Sequence, residues 1–403
     1  MSSISGIRLA FACLFGLGAA ACAKPYDLPV VDGFPPSADA SFPGLSHLLA
    51  RDAPLRVLWT HGMCTHNLDW ARGRKDMIVE LLGLPEGSGT FTPNSSGTFA
   101  TYVASVDGAQ LEIDFLIWSD LTQKYKDNLK FDAPTESGGE QFLFERAKLN
   151  GALKTGLMND CLVDAVVYSG QNGEPLRQRM RQEVCKALGG TFGAEDTCDT
   201  LGAPPVRLAL VTESLGSKLL FDATRALRDK LATSGKESEL TSFERQVGQT
   251  AAIYLISNQI PLLDQANPVP EPAIAKAPTT AAQAVPDSSL RGFLDIVQSG
   301  REGIQLDSAR TLPAIPVVAF TDPNDLLSYR LVPDALGFAD AQLVNMIVSN
   351  DWTYLHYVEH PGNAHCGYAY NSYVLGALIR GYRQDEPLNQ GNLPRPSSSC
   401  LSE

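Results

Sequence analysis

Ser214 lies in the stretch Thr212-Glu213-Ser214-Leu215-Gly216, directly after the apolar run 206–211 and directly before residues at helical spacing. A serine at the apex of a strand–turn–helix bend can serve as a nucleophile. Its hydroxyl projects from the bend, the N–H of Leu215 points the same way, and the helix N-terminus favours negative charge that develops beside it. The competing reading is an ordinary helix N-cap serine. A hydroxyl is too weakly acidic to attack unaided at neutral pH, so it needs a base within reach and a group to orient that base. Three of the six histidines, His356, His360 and His365, fall in one late stretch, and histidine titrates near neutrality. The same three could instead ligate a metal. Carboxylates stand in Thr321-Asp322-Pro323-Asn324-Asp325, after the apolar run 315–320. Both Asp322 and Asp325 also read as turn formers.

These groups must be held by regular elements. Short runs rich in Val, Ile and Leu occur at Leu55–Thr60, 111–118, 206–211, 251–257, 315–320 and 343–348, and 101–106 reads as a hairpin partner of 111–118. Near-continuous apolar runs of this length suit strands buried on both faces of a parallel sheet. After Ser214, Leu215, Leu219, Leu220, Ala223, Leu227 and Leu231 recur at helical spacing. Residues 370–382 and much of 150–200 also read as helical. Strands alternating with helices predict an α/β fold with a mostly parallel central sheet flanked by helices. Residues 265–287 hold five prolines and many alanines and read as a loop. The wider span 262–305 is a candidate lid-like insertion. No internal repeat is present.

The stretch around Ser214 resembles the nucleophile elbow of the α/β-hydrolases, written here T-E-S-L-G, with Thr212 where that superfamily usually has Gly. His61-Gly62-Met63, after the strand Leu55–Thr60, is similar to its HG motif. The wording around His365 (A-H-x-G-Y) resembles lipase-like and esterase-like members. The resemblance spans residues 55–382 and implies the α/β-hydrolase fold. It implies Ser214, Asp325 and His365 as nucleophile, acid and base, in that chain order. Asp322 and His360 are the alternative acid and base. Backbone N–H groups of Met63 and Leu215 would form the oxyanion hole. His61 reads as structural, and His66 as a loop residue without a role. The implied activity is hydrolysis of a carboxylic ester, with a small ester or an acyl lipid as substrate, through an acyl-enzyme and without a cofactor or metal. A thioesterase or acyltransferase on the same fold and a non-catalytic binding lipoprotein are the other readings. The resemblance also puts Cys64 and Cys366 at one edge of the sheet, where they could pair, with Cys161 and Cys400 as competitors.

The chain ends set the compartment. Residues 1–21 have a charged start, an apolar run too short to span a bilayer and a small-residue region, which reads as a signal peptide. Ala19-Ala20-Ala21-Cys22 resembles a bacterial lipobox, with Ala19 where Leu is usual, making Cys22 a candidate lipidated residue. Alternatively Ala21-Cys22-Ala23 fits an A-x-A cleavage site, with release into the periplasm. The expected organisation is a tether over 22–50, a hydrolase-like domain over 51–390 and a tail over 391–403. An exported protein of the bacterial cell envelope, lipid-anchored to a membrane, is the expectation. Six cysteines would remain after Cys13 and Cys22, an even number that suggests disulfides. Cys185 and Cys198, flanking a Gly-rich loop, are the best local pair. A net charge of −13 without any basic tract argues against a nucleic-acid partner.

Overall fold

The computed structural model describes residues 22–34, 39–51, 53–132, 146–267, 288–308, 312–332, 341–355 and 357–386. Nine strands form one sheet: β1 (Val30–Phe34), β2 (Leu55–Thr60), β3 (Thr90–Pro93), β4 (Phe99–Val106), β5 (Ala109–Leu116), β6 (Arg207–Glu213), β7 (Thr250–Ile256), β8 (Ile315–Thr321) and β9 (Ala341–Ile347). Their spatial order is β1-β9-β8-β7-β6-β2-β5-β4-β3. The six strands from β9 to β5 run parallel. The meander β5-β4-β3 is antiparallel, and so is β1 on β9.

The sequence forms this sheet because both of its faces can be buried. Alternate residues of each inner strand enter opposite cores. Leu58, Leu210, Leu255 and Ala319 pack on one side, against α2 (Glu174–Ala187), α3 (Leu215–Thr233), α4 (Glu237–Val247) and α5 (Ser289–Ser308). Trp59, Val211, Tyr254 and Phe320 pack on the other, against α1 (Leu68–Leu81) and α7 (Ser372–Arg380). Each fully buried aliphatic or aromatic side chain contributes about 1.5–3 kcal/mol from removal from water. Side chains at helical spacing on α3 (Leu219, Leu220, Ala223, Leu227 and Leu231) are all buried. The mixed α/β architecture expected from the sequence is therefore present, with all six predicted inner runs and the 101–106 hairpin partner in strands.

Three expectations are corrected. Residues 22–50 are not a loose tether: β1 completes the sheet edge, and Phe42, Leu45 and Leu48 are buried. The span 262–305 is not wholly a lid, because α5 is a core helix with Leu290, Phe293, Leu294 and Val297 buried against α3 and α4. The stretch 268–287 lies outside the described residues, as do the signal stretch and the tail. Most of region 150–200 is helical, as expected, up to Ala187. It runs through a π-helical stretch, Leu153–Leu162, and α2, then ends in a two-residue hairpin of Thr191–Phe192 with Cys198–Asp199. That hairpin is closed by the expected Cys185–Cys198 disulfide. A Cβ on Gly190 would lie 2.7 and 2.9 Å from the two sulfurs, so only glycine fits beneath the bond. Finally, Cys64 bonds Cys161, not Cys366. Cys366 belongs to neither described disulfide.

If β1 is structural, deleting residues 22–34 exposes the N–H and C=O groups of β9 along a new sheet edge. The expected outcome is a Tm lower by about 5 °C or more, with concentration-dependent aggregation in size-exclusion chromatography. Loss of a mere tether would leave both unchanged.

Candidate active site

The parallel strands all point their C-terminal ends at one edge of the sheet, and Ser214, Asp322, Asp325, His360 and His365 follow those ends, where open α/β sheets bind ligands. Ser214 ends β6, the middle strand, and starts α3 with φ 54° and ψ −124°. A non-glycine residue keeps such a backbone only where its surroundings impose it. Here the Ser214 N–H donates to the Ile256 carbonyl on β7 at 2.8 Å, and the Ser217 hydroxyl donates back to the Ser214 carbonyl at 2.7 Å. Glu213 is locked beside it by Arg74 (2.8 and 3.1 Å) and Trp59 Nε1 (2.9 Å). Burial disfavours the Glu213 carboxylate, but Arg74 outweighs it and holds this carboxyl below its ordinary range. Ser214 occupies the N-cap position of α3, but its hydroxyl makes no capping bond to the helix.

The two residues flanking the bend are glycines because backbone passes close on both sides. A Cβ on Gly216 would sit 2.3 Å from the His61 carbonyl oxygen. A Cβ on Gly62 would sit 2.7 Å from the Ser214 Cβ and 3.0 Å from the Glu213 carbonyl oxygen. Thr212 is fully buried opposite Thr60, and neither hydroxyl has a hydrogen-bond partner among the described residues. Each such orphan costs about 1–3 kcal/mol, a cost concentrated at the bend.

His365, on the short helix α6 (Pro361–Cys366), reaches Ser214 from the far side. Its Nε2 lies 3.4 Å from the Ser214 hydroxyl oxygen, and its Nδ1 lies 2.9 Å from Asp325 Oδ1. The first distance is long for a hydrogen bond, as is common in unliganded sites. Asp325 is buried; desolvation opposes its charge, but His365 and hydrogen bonds from His365, the Ser257 hydroxyl and the Leu327 N–H hold its carboxyl below the usual range. Asp322 and His360, the alternative acid and base, do other work. Asp322 accepts from the N–H groups of Asn324 (2.9 Å) and Asn350 (2.6 Å), and the His360 side chain caps α6 by accepting from the Asn363 N–H. His356 lies outside the described residues.

The Met63 N–H follows Gly62, which packs against the Ser214 side chain, and the Leu215 N–H follows Ser214 directly in the chain. His61 fixes the first of them. It is buried and stacked on Trp118, and its Nε2 accepts the Trp118 N–H at 3.1 Å, so its Nδ1 carries the proton and donates to the Gly62 carbonyl at 2.7 Å. Burial holds the His61 pKa well below the ordinary range, so the ring stays neutral. Because the Gly62–Met63 peptide is planar and trans, the Met63 N–H leaves on the side away from that ring. Among the described residues neither the Met63 nor the Leu215 N–H donates to a protein acceptor. Cys64, at φ 80°, continues this loop. It is held by the disulfide to Cys161, by its N–H to Asp164 (2.8 Å) and by its carbonyl from Ser119 (3.0 Å). Buried Lys126 bridges Asp164 and Asp160 at 3.0 and 3.2 Å.

Two further residues touch Asp325: Ser257, which no motif marks, and Tyr368, the last residue of A-H-x-G-Y. Ser257, at φ 52° after β7, donates to Asp325 Oδ2 at 2.7 Å and lies 3.1 Å from His365 Nδ1. The Tyr368 hydroxyl, in the turn after His365, donates to Asp325 Oδ2 at 3.1 Å and accepts the Asp322 N–H at 2.7 Å. Both are polar residues in loop-forming stretches whose relevance depends on which strand ends become neighbours. No protein-family model matches the chain, and no curated protein matches it.

The crowding at Gly62 is testable by stability alone. Gly62→Ala is expected to lower unfolding free energy by about 2–3 kcal/mol. Gly73→Ala, in the exposed part of α1 with nothing within 4 Å of the new Cβ, is expected to raise it by about 0.5–1 kcal/mol. Urea denaturation of the two variants checks both signs.

Proposed function

We propose that the protein is a serine hydrolase of the α/β-hydrolase type, acting on carboxylic esters through an acyl-enzyme on Ser214. The observation that carries this reading is the continuous relay from the Ser214 hydroxyl to His365 Nε2 and from His365 Nδ1 to Asp325, at a positive-φ bend on the middle strand. His365 takes the Ser214 proton as the oxygen attacks the acyl carbon. Asp325 orients the imidazole and stabilises its cation, and the Met63 and Leu215 N–H groups stabilise the oxyanion. The proton passes from His365 to the leaving alcohol. A water then attacks the acyl carbon, giving its proton to His365, and Ser214 is regenerated.

A fluorophosphonate probe is expected to label the wild type and not Ser214→Ala. Removing His365 or Asp325 should lower ester hydrolysis by about 10³-fold or more, with losses that do not add, and Asp325→Asn should cost more than Asp322→Asn. A folded wild type that takes no label and turns over no ester or thioester would favour a binding protein. Rates across p-nitrophenyl esters of increasing chain length would define the acyl group.

Lipid anchoring at Cys22 belongs to the same reading. Two disulfides indicate an oxidising compartment, and no described helix is long and apolar enough to cross a membrane. Cys22 is exposed and pairs, through Cys22–Ala23, with Thr353–Tyr354. Beside it Trp352, Tyr354, Leu355, Tyr357 and Val358 are exposed, an amphipathic set suited to a lipid interface. Cys22→Ser is expected to move the protein from the membrane fraction to the soluble fraction. Unchanged fractionation, with a mature N-terminus at Lys24, would overturn the anchor and leave the hydrolase reading intact.

A further inference from the structure

We infer that Glu359 and Asp322 share one proton, and that this clasp is what positions His365 over Ser214. The inference rests on the hydrolase reading for its consequence, not for its geometry. Asp322 follows β8 on the turn that carries Asp325. Glu359 closes the loop that runs from the end of β9 to α6, the helix that carries His365. Both carboxyl groups are buried, Asp322 completely. They are held side by side on shared partners: Asn324 donates its N–H to Asp322 and its side-chain amide to Glu359, and the successive N–H groups of Asn350 and Asp351 go to Asp322 and Glu359. Two buried carboxyl groups so placed avoid like-charge repulsion when one of them bears a proton. Asp322 already accepts two backbone N–H groups, from Asn324 and Asn350, which favours its charged form. Glu359 accepts the Asp351 N–H at 3.0 Å and the Asn324 side-chain amide at 2.7 Å. Burial raises both carboxyls above their ordinary range, Glu359 to about 7 with the charge of Asp322 adding to the rise, which assigns the shared proton to Glu359.

The clasp spans two elements that have no strand pairing at this point. Through Asn324, Glu359 grips the turn of the acid, and through Asp351 it grips the start of its own loop. Asn350 and Asn363 brace the same loop, donating to the Ala364 carbonyl (2.7 Å) and to Asp351 Oδ2 (2.6 Å). The other titratable groups facing the pair are few. Asp325, anionic and on the same turn as Asp322, adds like charge. Tyr368 is pushed well above its ordinary range by burial first and by Asp325, so it stays neutral. His365 faces Asp325, and Asp351 and His360 are engaged with Asn363.

Burial, with the nearby charge of Asp322, pushes the Glu359 carboxyl up from 4.5 to about 7. Its folded-state pKa is thus raised above its unfolded value. The stability it contributes is complete below about 4.5, declines as pH rises towards about 7 and is lost above that. Above about 7 the folded protein holds two adjacent buried carboxylates, whose repulsion loosens the loop bearing His365.

Glu359→Gln replaces the shared proton with a permanent N–H donor. Tm and the fluorophosphonate labelling rate would be measured for both proteins across pH. The wild-type Tm is expected to fall between about pH 5 and pH 8 relative to the Gln variant, and the labelling rate of the variant over wild type to rise about tenfold between pH 6 and pH 8. Parallel pH curves for the two proteins would overturn the clasp. A wild type without any labelling would overturn the hydrolase reading while the Tm curves still decide on the clasp. Should the variant fail to fold, carboxyl ¹³C NMR of the wild type reads the same proton directly. A Glu359 titration near pH 7 supports the clasp, and one near 4.5 overturns it.

Discussion

Ser214 holds φ 54° without being glycine, and the arrangement of the neighbouring chain follows from what that conformation requires. The bend survives because β7 accepts its N–H, α3 grips its carbonyl, and the end of β2 presses on it from the side through Gly62. The close approach at Gly62 and the one at Gly216 come from the same segment, His61–Gly62, so β2 must sit beside β6 in the sheet, as it does. A nine-stranded sheet with both faces filled by helices supplies the rigidity that lets one residue stay in a costly conformation.

Around that bend, each loop at the C-terminal edge is braced by its own polar device. The Met63–Cys64 loop is cross-linked covalently to Cys161 and ionically through Asp164 and Lys126. The Asp325 turn is tied by Ser257 and Tyr368. These groups are buried, where an unmet hydrogen bond costs more than a met one contributes. Neutral His61 and the ionised carboxylate of Asp325 are each held in their charge state by their own partners: backbone groups for the first, an imidazole and two hydroxyls for the second. Loops without regular structure can in this way hold positions as well as strands do.

The inner strands were legible because an apolar run of six or seven residues between turn formers has few other uses. The order Ser214, Asp325, His365 was legible because each residue stands just after or beyond such a run. The edge strand Val30–Phe34 was not legible. It contains Asp32 and Gly33, only one of its five residues is fully buried, and its pairing partner β9 lies some three hundred residues away. Nor was α5, whose sequence neighbours are the Pro- and Ala-rich residues that drew the expectation of a lid, although its apolar residues recur at helical spacing. The Cys64–Cys161 bond was hidden for another reason. Which cysteines meet depends on where the Leu153–Leu162 stretch packs, and nothing local in 150–170 specifies that it lies against the Met63–Cys64 loop. Ser257 shares this limit, since its partner comes from another strand end, whereas Tyr368 stands in the A-H-x-G-Y wording and only its contact with Asp325 was hidden.

The N-terminal segment and the proposed base belong to one mechanical unit. Cys22–Ala23 pairs with Thr353–Tyr354, and Tyr26 exchanges hydrogen bonds with Ser349, donating to its hydroxyl and accepting its N–H. Residues 349–354 open the same loop that Glu359 closes before α6 and His365. The segment that follows Cys22 is thus tied by backbone hydrogen bonds to the first residues of that loop. With the acyl anchor proposed at Cys22, the exposed Trp352, Tyr354, Leu355 and Tyr357 would meet the lipid interface first, and burial there would restrain the loop from outside as the Asp322–Glu359 pair restrains it from inside. The two restraints differ in what relieves them, a change of surface for one and the loss of a single proton for the other.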